Sequence, residues 1–184
     1  MSAKLPLRWV NFALLLGAII IGYGTTRYFD TRTPPKPPAS PYINQNLIPD
    51  FSFVDLVGKE YSIEDFRGKI VIINFWATWC PPCVKEFPAL LKLAADNKDK
   101  NVVLLALSSD DKLENMEKFL AGHPKPTENV FISYGHMVMI ATKFGVNRLP
   151  ETIILDPHLI QQARIIGATW EPQDVQKIID SLQP

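Results

Sequence analysis

Residues 70–83 read IVIINFWATWCPPC and contain both cysteines of this 184-residue chain. Residues 70–76 are an apolar run rich in β-branched side chains, which is typical of a strand buried on both faces of a sheet. From Cys80 to about Asn97, apolar residues recur at the spacing of a helix. A Cys-x-x-Cys pair between a buried strand and a helix in an α/β chain indicates redox chemistry.

The composition is that of an ordinary folded protein. Hydrophobic residues make up 47% of the chain, and 19 basic residues balance 19 acidic ones. A balanced charge lacks the basic surface expected of nucleic-acid-binding proteins, so we expect no nucleic-acid partner. Two cysteines are too few for a disulfide framework, and a hydrophobic core must therefore hold the domain together.

The chain divides into three parts. Residues 1–24 contain Lys4 and Arg8 at the start of an uncharged apolar stretch, and the segment is long enough to cross a bilayer as one helix. We predict a retained N-terminal membrane anchor, with a cleaved signal peptide as the alternative; either places the rest of the chain outside the cytoplasm. Residues 25–46 form a linker with five of the 16 prolines within eight positions, which favours an extended spacer. The globular domain occupies residues 47–184.

Strand and helix patterns alternate along the globular domain. Two short strands are predicted within residues 50–62, followed by one helical turn that ends at Gly68, and Pro88 is expected to kink the helix that follows the cysteines. Further strands are predicted at 101–108, 151–156 and 161–167, and further helices at 110–122, 136–146 and 171–182. The last two strands are expected to pair. This order predicts an α/β domain with a mixed sheet.

The position of the cysteines explains how they would react. A helix N-terminus offers unpaired backbone N–H groups and a partial positive charge, and both favour thiolate over thiol. We expect Cys80 to be the exposed nucleophile and Cys83, one turn further, to be the buried resolving thiol. Pro81 and Pro82 stiffen the loop, and Pro82 can begin the helix because no N–H is needed there. No separate cofactor is expected, since the redox-active Cys80–Cys83 disulfide carries the electrons itself.

Two other roles of the pair fit the sequence less well. A tetrahedral zinc site needs four ligands, but the chain has no second cysteine pair, and His123, His136 and His158 are scattered singly. A purely structural disulfide would close a loop too small to constrain much chain entropy. We therefore expect no metal site. A thiol module that binds copper remains an alternative, because soft thiolates select Cu(I).

The segment VIINFWATWCPPCVKEFPAL, residues 71–90, resembles the active-site segment of thioredoxin-like proteins. More narrowly, residues 47–184 resemble the membrane-anchored, extracytoplasmic thiol:disulfide oxidoreductases of the TlpA, ResA and CcmG (DsbE) group. This resemblance implies a thioredoxin-like fold, with a central mixed sheet flanked by helices and an N-terminal strand extension. A second segment, FGVNRLPETIILD at 144–156, resembles the cis-proline loop of the superfamily. It implies a cis Leu149–Pro150 bond packed against both cysteines.

The resemblance also assigns site residues. Glu86 matches the acidic residue of the ResA-like pattern, while Asn74 stands where thioredoxins carry a buried Asp. A carboxylate near both thiols can accept the proton of Cys83, which must become a thiolate to resolve a mixed disulfide; a solvated Glu86 on the helix surface is the alternative. The expected catalytic set is Cys80, Cys83, Glu86 and Pro150. The expected substrate-binding set is Trp79, Pro81, Pro82, Leu149 and Glu151, with Trp79 exposed at the lip of the site and Glu151 acting in substrate selection or proton traffic.

The implied function is a membrane-tethered reductase of protein disulfides, located at the cytoplasmic (inner) membrane with its catalytic domain on the periplasmic or extracytoplasmic side. The implied substrate is apocytochrome c, and the implied electron donor is a membrane protein of the DsbD or CcdA kind. A reductase of other envelope proteins, such as copper-site assembly factors, is an alternative. A peroxidase of this superfamily is disfavoured because the usual Thr-x-x-Cys motif of its nucleophile is absent. Thr78 lies only two residues before Cys80, not three. One departure from the group is the turn PHLIQQ, which lacks the glycine common in relatives and leaves its turn geometry in question.

Overall fold

The computed structural model describes residues 47–135 and 137–183. The predicted anchor of residues 1–24 and the predicted linker of residues 25–46 lie outside these described ranges. Within them, no helix has both the length and the apolar character needed to cross a membrane.

Seven strands and four α-helices build the described domain. The strands are β1 (Ser52–Val54), β2 (Glu60–Ser62), β3 (Ile70–Trp76), β4 (Val102–Ser108), β5 (Val130–Ser133), β6 (Glu151–Leu155) and β7 (Gln161–Ile166). The α-helices are α1 (Pro81–Asp96), α2 (Leu113–Leu120), α3 (Met137–Lys143) and α4 (Pro172–Ser181). Two short 3₁₀ helices, Ile63–Phe66 and Lys98–Lys100, complete the element order. The predicted strands and helices are thus confirmed to within a few residues, and α1 continues through Pro88 to Asp96.

The sheet is mixed, as predicted. Its five strands lie in the order β5-β4-β3-β6-β7, with β3, β4 and β5 parallel and β6 and β7 antiparallel to their neighbours. The strands β1 and β2 form a separate antiparallel pair, the N-terminal extension. Because β3 is the central strand, the loop that follows it lies in the middle of the row formed by the carboxyl ends of the parallel strands.

The edge strand β5 was missed in the sequence. Its four residues follow a polar, proline-containing segment, and only Val130, Phe131 and Ile132 are apolar. So short a run has no readable periodicity, and its pairing with β4 decides its conformation. The correction extends the parallel part of the sheet by one strand.

Side chains of β3 alternate between two apolar clusters on opposite faces of the sheet. Ile70, Ile72 and Trp76 point into the cluster that α1 and α4 cover, which also contains both cysteines. Val71, Ile73 and Phe75 point into the cluster that α3 and the N-terminal extension cover. Every residue of β3 is buried, so the predicted double-sided burial is confirmed.

The turn between β6 and β7, residues 156–160, contains no glycine. Leu159 itself takes the left-handed conformation, with φ of 62°. The Asp156 carboxylate accepts the N–H groups of His158 and Ile160, at 2.8 and 3.0 Å, and so holds the turn. Leu159 is buried in the second apolar cluster, and this burial offsets the cost of a conformation that favours glycine.

Candidate active site

The cysteine pair lies at the N-terminus of α1. Cys80 is the N-cap in an extended conformation, and Pro81 and Pro82 form the first helical positions. The two cysteines form a disulfide. Cys83 is fully buried, as predicted, and only 6% of Cys80 is exposed. The predicted exposure of Cys80 is wrong for this disulfide form, because its sulfur is bonded to that of the buried Cys83.

A groove runs past the disulfide. Its lining consists of Trp79 and Cys80 just before α1, Pro81 and Pro82 at the start of α1, Val138, Ala141 and Thr142 from α3, and Ser109, Val146, Asn147, Arg148 and Leu149 from loops. Trp79 is 65% exposed, as predicted for the lip of the site. The structure therefore brings together the predicted groups Trp79, Cys80, Pro81, Pro82 and Leu149. Glu86, Pro150 and Glu151 lie behind this surface rather than in it.

The loop that forms the opposing wall carries the predicted cis bond between Leu149 and Pro150. Leu149 is half-buried and packs against the apolar cluster that contains both cysteines. Pro150 is buried, and its carbonyl accepts the N–H of Gly167 at 2.8 Å. This bond connects the wall of the groove to the end of β7.

Glu86 is buried one helical turn after Cys83, and only 8% of it is exposed. Its Oε1 accepts a hydrogen bond from Asn74 Nδ2 at 3.0 Å, and its Oε2 accepts one from Trp170 Nε1 at 2.9 Å. Burial raises the pKa of the Glu86 carboxyl, and the hydrogen bonds from Trp170 and Asn74 oppose that rise. The alternative of a solvated surface carboxylate is therefore wrong.

Asn74 connects Glu86 to β6. Its Nδ2 also donates to Thr152 Oγ1 at 3.0 Å, while its Oδ1 is buried without a hydrogen-bond partner among the described residues. An amide can turn to present either its donor or its acceptor to a neighbour. Asn74 can thus donate a hydrogen bond to the Glu86 carboxylate or accept one from the protonated carboxyl group.

Glu151 lies in β6 directly after the cis proline and is only 1% exposed. It forms an ion pair with Arg164, which is 21% exposed on the neighbouring strand β7. Burial raises the pKa of the Glu151 carboxyl, and the charges of Arg164 and Arg148 work against this rise. Because Glu151 does not line the groove, its role in substrate selection or proton traffic stays a prediction.

Asp110, at the end of β4, is a buried acid that the sequence analysis missed. Its Oδ2 accepts the Thr78 N–H at 2.8 Å, and its Oδ1 accepts the Thr78 hydroxyl at 2.5 Å. The Ser108 hydroxyl also donates to Oδ2, at 2.5 Å. Carboxyl ends of adjacent parallel strands meet at one sheet edge, so the SSDD segment that begins at Ser108 was the available signal. Asp110 holds the loop that presents Trp79 and Cys80.

Comparison with known proteins decides the family. A family model described as AhpC/TSA matches residues 45–163. The chain belongs to the AhpC/TSA family. Within this thioredoxin-like family, the chain is 33% identical over 181 residues to thiol-disulfide oxidoreductase ResA of Geobacillus thermodenitrificans, covering 98% of this chain and 97% of that protein. It is 35% identical over 131 residues to the thioredoxin-like protein YneN of Bacillus subtilis, covering 71% and 75%.

Solved structures agree with this family assignment. A Chlorobium tepidum protein described as a thiol:disulfide interchange protein DsbE superposes with a TM-score of 0.64 at 27% identity, covering 74% of this chain and 96% of that one. The thioredoxin domain of a thiol-disulfide oxidoreductase of Bacteroides vulgatus gives 0.63 at 28% identity, covering 72% and 95%. The predicted thioredoxin-like fold is thus confirmed, and this AhpC/TSA member is a thiol:disulfide oxidoreductase of the ResA and DsbE type.

Proposed function

We propose that this oxidoreductase works as a reductase of protein disulfides through Cys80 and Cys83. The observation that carries the proposal is a disulfide at a helix N-terminus, whose Cys80 lines an open groove, with the buried carboxyl of Glu86 one helical turn after Cys83. A groove open at the surface and lined by Trp79 and Leu149 suits an extended polypeptide, whose backbone and side chains can lie along it.

In the first step, the Cys80 thiolate attacks one sulfur of the substrate disulfide. A mixed disulfide forms between Cys80 and that sulfur, and the other substrate sulfur leaves as a thiolate. The N-terminus of α1 stabilises the attacking thiolate chiefly through its partial positive charge. Pro81 and Pro82 have no N–H, so among the first three helical residues only Cys83 offers one.

In the second step, Cys83 attacks the Cys80 sulfur and releases the remaining substrate sulfur as a thiolate. Cys83 has to lose its proton first, and we assign the acceptor role to the Glu86 carboxylate. Two electrons pass to the substrate, whose two thiolates take up protons, and the enzyme leaves as the Cys80–Cys83 disulfide. An oxidising compartment does not restore the dithiol, so a membrane electron donor of the DsbD or CcdA kind completes the cycle.

For the compartment and substrate, we propose a membrane-tethered enzyme that faces the extracytoplasmic side and reduces the haem-attachment cysteines of apocytochrome c. The apolar stretch within residues 1–24 and the similarity to ResA and to a DsbE-like protein support this assignment.

The test is to trap partners in the native host with the full-length Cys83→Ala variant, which cannot resolve mixed disulfides on Cys80. The Cys80→Ala variant is the matched control, because it lacks the nucleophile. Recovery of apocytochrome c with Cys83→Ala alone would support the proposal. An array of unrelated envelope proteins, or copper-site assembly factors, would replace the cytochrome assignment with the broader reductase. If nothing is trapped and the wild type reduces no protein disulfide, the reductase function is refuted.

A further inference from the structure

The buried carboxylate of Glu86 depends on a hydrogen bond from a distant loop. Trp170 lies between β7 and α4, 84 residues along the chain from Glu86, and its Nε1 donates to Glu86 Oε2 at 2.9 Å. The indole is half-buried and packs against the apolar cluster that contains Cys80 and Cys83. Trp170 therefore both covers the carboxyl group and bonds to it.

The two donors to Glu86 differ in what they can do. Asn74 can turn its amide, so it can donate to a carboxylate or accept from a protonated carboxyl group. The indole N–H of Trp170 is a donor only. A group that can only donate stabilises the charged, proton-accepting form of its partner. Asn74 thus adapts to either protonation state, whereas Trp170 favours one of them.

We propose that Trp170 is a positioning residue for the resolving step: its indole N–H fixes the Glu86 carboxylate one turn behind Cys83 and keeps it ready to accept a proton. The inference rests on the proposed function, in which that proton comes from the Cys83 thiol. The thiolate of Cys83 then attacks the Cys80 sulfur, and the substrate sulfur leaves with the electron pair of the broken bond.

The balance of forces at Glu86 supports this role. Burial raises the pKa of Glu86, and Trp170 is the largest of the influences that lower it. Without the indole N–H, the desolvation of the carboxylate would remain and one of its two hydrogen bonds would be lost. The pKa of Glu86 would then rise further, and a smaller fraction of Glu86 would be charged at a given pH.

The test isolates the resolving step with a chromophoric disulfide. Full-length reduced enzyme is mixed with one equivalent of dithiobis-nitrobenzoate; the first nitrothiobenzoate release reports the attack of Cys80, and the second reports the attack of Cys83. Both rates are measured against pH for the wild type and for Trp170→Phe, which keeps an aromatic ring and removes the donor. We expect the acid limb of the second rate to move to higher pH, with a loss of about tenfold on that limb, while the first rate changes much less.

A double-mutant comparison separates positioning from general structural support. In a Glu86→Gln background, Trp170→Phe should leave the pH profile of the second release unchanged. If Trp170→Phe does not fold, site-specific replacement of Trp170 by benzothienylalanine, which keeps the ring shape and lacks the N–H, gives the same comparison. A profile that depends on Glu86 but not on the donor at Trp170 would overturn this inference alone. A profile that is insensitive even to Glu86→Gln would overturn the proposed proton acceptor and the inference with it.

Discussion

The buried ion pair behind the cis-proline loop makes the Arg164→Met variant a sharp test of the structure. Arg164 pairs with Glu151, which has 1% exposure, and its Nη1 donates to the carbonyl oxygen of Phe144 at 3.0 Å. Removing one partner of a buried pair leaves an uncompensated charge and typically costs about 3–5 kcal/mol. Because Arg164 is 21% exposed, water can partly solvate the remaining site. We therefore expect the lower end, a loss of about 3 kcal/mol in the free energy of unfolding.

The pH dependence of this loss has a definite sign. The pKa of Glu151 is already raised by burial, and Arg164 is the largest influence that holds it down. Without Arg164 it rises further, so the folded variant binds a proton that the unfolded chain releases. An acid with a raised folded-state pKa lowers stability as the pH rises through that pKa. The loss caused by Arg164→Met should therefore be largest near neutral pH and shrink as Glu151 becomes protonated at lower pH.

Urea denaturation of the full-length chain at about pH 7.5 and about pH 5.5 measures both effects. Arg67→Met is the matched control, because Arg67 also pairs with one carboxylate, Glu64, and donates to one backbone carbonyl. Both side chains of that pair are more than half exposed, so Arg67→Met should lower the free energy of unfolding by about 1 kcal/mol or less. A second substitution, Glu151→Gln, should recover part of the stability lost in Arg164→Met. If Arg164→Met costs no more than Arg67→Met, or if its cost does not change with pH, the reasoning is refuted.

Three further variants test other parts of the structure. Glu86→Gln should raise the free energy of unfolding of the oxidised protein at pH values above the pKa of Glu86, because the raised pKa means that the folded state favours the neutral form. Denaturation at about pH 8 and about pH 4 compares the charged and the neutral carboxyl. Equal destabilisation at both pH values would contradict the prediction. Asp110→Ala leaves the buried hydroxyl of Ser108 and the half-buried donors of Thr78 unpaired, so we expect a loss of about 2–3 kcal/mol in denaturant unfolding. Asp156→Ala removes a partly exposed acceptor of turn N–H groups and should cost only about 1 kcal/mol; losses of equal size would show that the burial of Asp110 has no effect.

Local patterns predicted the central strands of the sheet well and missed one of its two edge strands. The strand at Ile70–Trp76 was predicted with the observed bounds, because a run of β-branched residues is selected for burial on both faces wherever it lies in a sheet. The edge strand Val130–Ser133 was missed, because its four residues form a strand through pairing with β4. Likewise, the conformation of Leu159 depends on burial of its side chain, which no turn signal in the sequence records.

The residues of the site divide in the same way. The cysteine pair and the Leu149–Pro150 loop were predicted from short motifs, each of which performs its role within a few residues. The partners Trp170, Arg164 and Asp110 were not predicted. Trp170 and Asp110 lie 84 and 32 residues from Glu86 and Thr78, the residues that they contact, and Arg164 reaches Glu151 across the β6–β7 pair. These contacts exist only once separate loops, strands and helices have packed together.

The sequence by itself determined that a buried strand leads into a cysteine pair at a helix N-terminus and that a proline loop follows downstream. Those features depend on neighbours in the chain, and they are enough to predict thiol:disulfide chemistry. Only the tertiary structure decided that Cys80 is covered in the disulfide form, and that Glu86 is a buried acid held by Asn74 and Trp170. Burial and pKa depend on the solvent that neighbours exclude and on the donors that they supply through space, and folding brings those neighbours together from separate parts of the chain.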